Sequence, residues 1–266
     1  MKQKLKRILV IGLWVLLVAA SLTGLTFANR WQDQATCRAV LIKMVGSQGH
    51  PLVSEKEIGE LVTRKWGNPV GRPLRELHFR ELEEELRRMP VIESAEVFAS
   101  LSGIAEIHVV QRKPLMKLFF PGGSTLYLDG MGYFFPVKAG YSDRVLTVSG
   151  QIPFRVNKYI RLSDIPEDNP AYKYASDLFQ AGLYIRSHRL LSSLMAQIYY
   201  NSKGEVELIP ATGDHTILIG DFSDLECRLD NLLLFYIRTA GRIDYRQYPV
   251  LNLKYRNQIV LTKNAP

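Results

Sequence analysis

Uncharged, mostly apolar residues run from Ile8 to Ala28, directly after a basic tail that ends at Arg7. At about 1.5 Å of rise per residue, about 20 apolar residues span the ~30 Å hydrocarbon core of a bilayer. The basic residues at positions 2, 4, 6 and 7 favour a cytoplasmic N-terminus, because positive charge is retained on that side. The pattern predicts a cytoplasmic tail over residues 1–7, one transmembrane helix over residues 8–28, and an extracytoplasmic remainder.

A cleaved signal peptide is the alternative interpretation of this segment. Thr26, Phe27 and Ala28 form a small-x-small site, and the preceding tail is basic. Signal peptides usually have apolar regions of about 7 to 15 residues, and this stretch is longer. The length favours a retained anchor, and the sequence leaves cleavage open.

Between residues 36 and 112 the apolar spacing alternates between the periods of strands and helices. The predicted elements are a strand over 36–45, a helix after a capping box at Ser54 and Glu57, a helix that Pro90 ends, and hairpin strands over 92–100 and 104–112. A three-stranded sheet with both helices on one face would bury every apolar stripe. The other face and one edge of this sheet would remain available.

From Lys113 onward, short strands separated by turn residues replace this pattern. The predicted strands cover 115–120, 125–129, 133–136, 144–148, 195–200, 205–210, 215–219, 250–255 and 258–263. One predicted helix starts after Asn169 with Pro170 at its first position, and another after a capping box at Ser223 and Glu226. We therefore predict an α+β chain with one domain over residues 29–112 and a larger, β-rich domain with flanking helices over residues 113–266.

The composition adds few constraints. The formal net charge is +8, half of it in the N-terminal tail, which is too mild a bias for a nucleic-acid-binding surface. Cys37 and Cys227 lie in different predicted domains and in a compartment that permits disulfides. A bond between them is possible, but two unpaired thiols are the simpler interpretation.

The sequence contains no recognisable catalytic or metal-binding pattern. The 5 histidines do not show metal-ligand spacing, and the serines lack the context of a hydrolytic nucleophile. Asp129 to Gly132 superficially resembles a phosphate loop, but no helix follows, so we predict a hairpin turn. The chain is therefore predicted not to be an enzyme, with no cofactor, no metal and no catalytic residue.

Several segments together resemble the bacterial cell-division family FtsQ/DivIB. They are the membrane anchor, the strand-helix-helix-strand-strand order, and the segments Arg88 to Val97, Val110 to Pro114, Tyr127 to Pro136 and Leu251 to Asn257. The resemblance implies a POTRA domain next to the membrane, followed by a β domain. It also implies a non-enzymatic divisome scaffold in the inner (plasma) membrane, enriched at the division septum.

The same resemblance implies partners and a binding site. FtsQ-like proteins bind FtsB/FtsL-like bitopic division proteins and support the septal peptidoglycan synthase complex, with the FtsB contact at the last strand. The corresponding partner-binding residues of this chain are Lys254, Tyr255 and Asn257. The family commonly has an aspartate and an arginine where this chain has Asn252 and Lys254. Strand addition at a free C-terminal sheet edge is the mechanism that such a contact needs.

Two other functions remain open from the sequence. A POTRA-bearing export or outer-membrane assembly factor would also use exposed sheet edges, but such proteins usually carry several POTRA repeats or a following barrel. A tethered envelope hydrolase would need acidic residues that folding brings together from distant positions, which a sequence cannot reveal.

Overall fold

The computed structural model describes residues 14, 16, 17, 19, 20, 35–45, 51–138, 141, 144–156, 159–239, 242–255 and 258–263. The predicted transmembrane helix over 8–28 therefore lies almost entirely outside the described residues, and the five described positions within it are helical. In the part of the chain that is described, no helix combines the length and the hydropathy needed to cross a bilayer.

The chain divides into two compact units, the first of residues 1–47 and 53–111 and the second of residues 48–52 and 112–266. The first unit contains β1 (Ala39–Val45), α1 (Glu55–Trp66), α2 (Phe79–Arg87), β2 (Ile92–Ala99) and β3 (Ile104–Gln111). Its strands form one sheet in the order β1-β3-β2, in which β3 runs parallel to β1 and antiparallel to β2. The predicted order of strands and helices is confirmed.

The two helices bury one face of this sheet. Ile107 and Val109 of β3 are fully buried together with Leu82 and Leu86 of α2, whereas alternate β3 residues lie on the other face. The predicted capping box begins α1: the Ser54 hydroxyl accepts from the Glu57 backbone N–H, and the Glu57 carboxylate accepts from the Ser54 N–H. The inward side chains of the strands and the apolar faces of both helices thus pack into one core, as the sequence pattern predicts.

The second unit is built on a nine-stranded sheet in the order β12-β11-β10-β9-β8-β7-β4-β5-β6. The strands are β4 (Pro114–Phe119), β5 (Thr125–Asp129), β6 (Phe134–Pro136), β7 (Leu146–Gly150), β8 (Met195–Tyr200), β9 (Val206–Pro210), β10 (Thr216–Gly220), β11 (Val250–Asn252) and β12 (Val260–Thr262). The helices are α3 (Pro170–Ser187), α4 (Arg189–Leu194) and α5 (Leu225–Thr239). The prediction of a larger, β-rich domain with flanking helices is confirmed.

A buried ion pair fixes the β5–β6 turn of this unit. Arg112 Nη1 donates to Asp129 Oδ2 at 2.7 Å, and the guanidinium stacks 3.8 Å from the centre of the Tyr133 ring. The other Asp129 oxygen, Oδ1, accepts from the backbone N–H groups of Met131 and Tyr133. The segment from Asp129 is therefore a hairpin turn, as predicted. The Asp129 carboxylate binds the backbone of this turn and also Arg112, at the start of the unit.

Two local predictions in this unit are wrong. The strand predicted over 250–255 ends at Asn252, because the Asn252 side-chain oxygen accepts from the Lys254 N–H and turns the chain away. The capping box predicted at Ser223 and Glu226 does not form. The Ser223 hydroxyl instead donates to Asp221 and accepts from Arg228, which removes it from the helix start.

A candidate partner-binding edge beside the last helix

The C-terminal edge of the nine-stranded sheet is β12. In the described part of the chain, β12 pairs only with β11, whereas β11 is covered by β10 on one side and β12 on the other. β11 is therefore one strand in from the edge, because β12 pairs along its outer side. An edge strand presents unpaired backbone N–H and C=O groups, and β12 does so with Val260 40% exposed.

Lys254 lies just after β11 and points back across the sheet. Its Nζ donates to Glu205 Oε1 at 2.6 Å, and this hydrogen bond raises the pKa of Lys254 and lowers that of Glu205. Its aliphatic stem passes over Gly220 at the end of β10, where an added Cβ would come within 2.9 Å of Lys254 Cγ. The ammonium of this predicted partner-binding residue is thus already engaged within the chain.

Tyr255 is the exposed residue of the predicted set. Its side chain is 52% exposed, and it lines a pocket of ≈ 110 Å³ between the β11–β12 connection and the start of α5. Asn257, the third predicted residue, lies outside the described residues. The structure therefore places Lys254 and Tyr255 side by side next to the edge strand, the former paired and the latter open to solvent.

The α5 side of this pocket was not predicted from the sequence. Cys227, Arg228 and Asn231 line it together with Tyr255 and Ile259. Residues 227 and 231 are one helical turn apart, so helical spacing predicts that they share a face, but only the fold brings that face to the C-terminal segment. Tertiary contact between distant segments leaves no local signal in the sequence.

Arg228 holds the start of α5 in place. Its Nη1 donates to the Ile219 carbonyl oxygen at 2.6 Å and to Asp221 Oδ1 at 3.0 Å, which ties the helix to the end of β10. A hydrogen bond from Ser223, assisted by Arg228, lowers the pKa of the Asp221 carboxyl group. One wall of the pocket is therefore rigidly connected to the sheet.

An aromatic cluster fixes the other end of α5. His215, just before β10, is 7% exposed and stacks on the Tyr245 ring at 4.5 Å, while its Nε2 lies 2.7 Å from the Tyr236 hydroxyl of α5. Its Nδ1 is buried, with no hydrogen-bond partner among the described residues. Burial lowers the pKa of His215, opposed by the nearby Asp214 carboxylate.

Acidification is expected to destabilise the second unit through His215. An unfolded histidine binds its proton near pH 6.5, whereas the folded one resists protonation until a lower pH. Between those two values the unfolded state holds more protons, so the free energy of unfolding falls as the pH falls. We expect His215→Phe to flatten this slope in urea titrations, followed by tyrosine near-UV circular dichroism, between pH 7 and about 5.5. An unchanged slope would contradict this assignment.

Neither cysteine forms a disulfide: Cys37 is buried in the first unit, and Cys227 is exposed on α5. Among the residues that the structure describes, no group of three or more His, Cys, Asp or Glu side chains is arranged to hold a metal ion. The described features of the site are a sheet edge, an exposed tyrosine and a small pocket.

Comparison with protein families assigns both units. Residues 35–110 match the model of the POTRA-like domain, and residues 113–262 match that of the C-terminal related domain of FtsQ/DivIB. No curated protein matches the chain. The second match alone covers more than half of the 266 residues. The matched region contains strands β4 to β12, including the candidate edge. The chain belongs to the FtsQ/DivIB family.

Proposed function

We propose that this protein is a membrane-anchored, non-enzymatic scaffold of the cell-division machinery. It binds FtsB/FtsL-like bitopic partners by strand addition at the C-terminal sheet edge and thereby supports the septal peptidoglycan synthase complex. The observation that carries this proposal is the position of β12, which ends the described sheet beside a half-exposed tyrosine. Family membership supports the division role, and the free edge supports the mode of binding.

Strand addition explains how so small a site can bind specifically. A partner strand next to β12 would form main-chain hydrogen bonds, which give affinity, while alternate side chains meet flanking pockets, which give specificity. Tyr255 would supply the aromatic anchor beside the ≈ 110 Å³ pocket that Cys227 and Asn231 line. Lys254 would contribute by sharing its ammonium between Glu205 and a partner carboxylate, since a lysine carries three donors. Asn257 is proposed as a further contact.

The proposed location is the inner membrane at the septum, with residues 1–7 in the cytoplasm and both units outside it. The apolar run over 8–28 and the basic residues before it support this orientation. The export or outer-membrane assembly function is the weaker alternative. The POTRA-like match covers one segment, residues 35–110, and the following 150 or so residues match a division family instead.

Tyr255→Glu is expected to weaken capture of a synthetic FtsB-like peptide by about 30-fold, the size of a typical hot-spot loss. A buried glutamate would replace the anchoring ring and would have to be desolvated without a counter-charge. Binding is measured by fluorescence anisotropy on the full chain in detergent, and the melting temperature is expected to stay unchanged because Tyr255 is exposed.

Tyr174→Glu is the matched control. Tyr174 lies on α3 in the same unit and is 43% exposed, close to the 52% of Tyr255. This variant is expected to bind the peptide as the unaltered chain does. Equal binding by the unaltered chain, Tyr255→Glu and Tyr174→Glu would refute the proposed site.

Imaging separates the division function from the export alternative. Enrichment of the tagged protein around the whole cell periphery, instead of at midcell, would favour export.

A further inference from the structure

The outer face of the first unit's sheet carries a charged row across its three strands. Lys43 of β1, His108 of β3 and Glu96 of β2 are directly in register. On this face Leu41 is 42% exposed and Phe98 40% exposed, in the neighbouring row on either side of Glu106. The helices cover the opposite face, so these side chains form a mixed apolar and charged surface that no described residue of their unit covers.

The charged side chains on this face differ in how many ion-pair partners they have. The Glu106 carboxylate accepts from Lys43 at 2.8 Å and lies 3.0 Å from His108 Nε2. Lys43 keeps two further N–H donors, because an ammonium carries three. Glu96 is exposed, and no ion pair to it is found among the residues described. One edge of the row therefore offers a cation, and the other offers a carboxylate.

This arrangement is complementary to itself. We propose that two copies of the chain pair face to face through this sheet, about a two-fold axis parallel to the strands and centred on β3. Rotation about that axis places β1 of one copy over β2 of the second. Lys43 then meets Glu96 of the second copy twice, and Leu41 meets Phe98 twice. At the axis His108 faces His108 and Glu106 faces Glu106, and each Glu106 carboxylate is compensated by Lys43 and His108 of its own chain.

Charge repulsion disfavours the other orientation, in which the two-fold axis is perpendicular to the strands. A two-fold axis perpendicular to the strands would place β1 over β1, with Lys43 opposite Lys43 and Glu96 opposite Glu96, which is repulsive. In the proposed orientation both β1 strands run in the same direction. The chain segments that precede Ala39 therefore leave the pair on the same side, as two chains anchored in one membrane require.

The pairing is weak by itself. With strands about 4.8 Å apart and about 3.3 Å per residue, the face is smaller than a standard protein–protein interface. Anchoring in one membrane compensates, because confinement raises the effective concentration of one copy near another. This part of the inference rests on the proposed membrane anchor, so the test is made in membranes, and sedimentation of the vesicles with the chain separately establishes anchoring.

Cysteine cross-linking tests the two-fold axis directly. In full-length chains carrying Cys227→Ser, reconstituted into membrane vesicles, His108→Cys is expected to form a disulfide-linked dimer under mild oxidation. Arg80→Cys is the control, because its side chain is 91% exposed on α2, away from this face. Dimerisation of His108→Cys no faster than that of Arg80→Cys, or cross-linking to a different protein, would overturn the proposal.

Charge reversal tests the register. Either Lys43→Glu or Glu96→Lys is expected to slow His108→Cys cross-linking about tenfold, because two attractive pairs become repulsive. Mixing the two variants restores opposite charges at both contacts and is expected to restore the rate. Glu96→Lys breaks no ion pair found in the described chain, so it remains a valid test if Lys43→Glu does not fold. An unchanged rate for Glu96→Lys would exclude the pairing, whatever the outcome of peptide capture at β12.

Discussion

Asp129→Ala is expected to lower the free energy of unfolding of the second unit by about 3–5 kcal/mol. Asp129 is 3% exposed and Arg112 8% exposed, so their 2.7 Å contact lies in the interior. Removing the carboxylate leaves the guanidinium buried without this counter-charge, which costs far more than the net worth of the intact pair. The backbone N–H groups of Met131 and Tyr133 would also lose their acceptor.

Chemical denaturation of the full chain, followed by tyrosine near-UV circular dichroism, measures this loss. Asp177→Ala is the matched control, because Asp177 pairs with Lys173 at 2.7 Å on the surface of α3. An exposed pair of this kind contributes little to stability, because water and salt screen the two charges. Equal losses for the two variants would show that burial does not determine the strength of the Asp129 contact. The expected difference would identify the β5–β6 turn as a structural requirement of the unit.

Gly150→Ala is the second substitution with a large expected effect, a loss on the order of 3 kcal/mol. Gly150 ends β7 with φ +89°, a conformation that residues with a Cβ rarely adopt. An added Cβ would fall well inside van der Waals contact with the Tyr200 carbonyl oxygen of β8. Because that neighbour is backbone, relief requires the two central strands to separate, and the Gln151 N–H bond to the same oxygen would weaken.

Gly123→Ala separates backbone strain from the close contact. Gly123 has φ +90°, nearly the same as Gly150, but nothing lies within 4 Å of its added Cβ. We expect about 1 kcal/mol for this variant, from the left-handed conformation alone. Urea titrations of the two proteins give the comparison. A Gly150→Ala loss no larger than that of Gly123→Ala would mean that the sheet accommodates the methyl group.

Asp129 and Gly150 matter for the proposed site because both lie in the sheet that ends at β12. The order β12-β11-β10-β9-β8-β7-β4-β5-β6 makes the edge strand the end of a continuous hydrogen-bonded series. A three-residue strand such as β12 has little stability of its own, so its geometry depends on the strands behind it. Substitutions at the sheet centre are therefore expected to weaken partner capture indirectly, together with stability, whereas Tyr255→Glu should weaken capture alone.

Local patterns in the sequence determined much of the first unit. The alternation of β3 and the helical spacing of α1 and α2 each specify one apolar face, and only a sheet with both helices on one side buries all of them. The Ser54 capping box and the Asn169 cap also act within a few residues, so their sequence signals were sufficient. The expected α+β class and the FtsQ/DivIB family follow from the same signals taken in order.

The candidate site depended on contacts that no local pattern contains. The edge strand is β12 because Val260–Thr262 pairs along β11, which ends at Asn252, where the side-chain oxygen accepts from the Lys254 N–H. The pairing of Lys254 with Glu205 joins residues 49 positions apart, and Arg228 ties α5, which lines the pocket, to the end of β10. The sequence by itself determined which segments are strands and helices, because each is specified by its own periodicity. Only the tertiary structure decided which strand is left open and which side chains surround it, because those depend on packing between segments far apart in the chain.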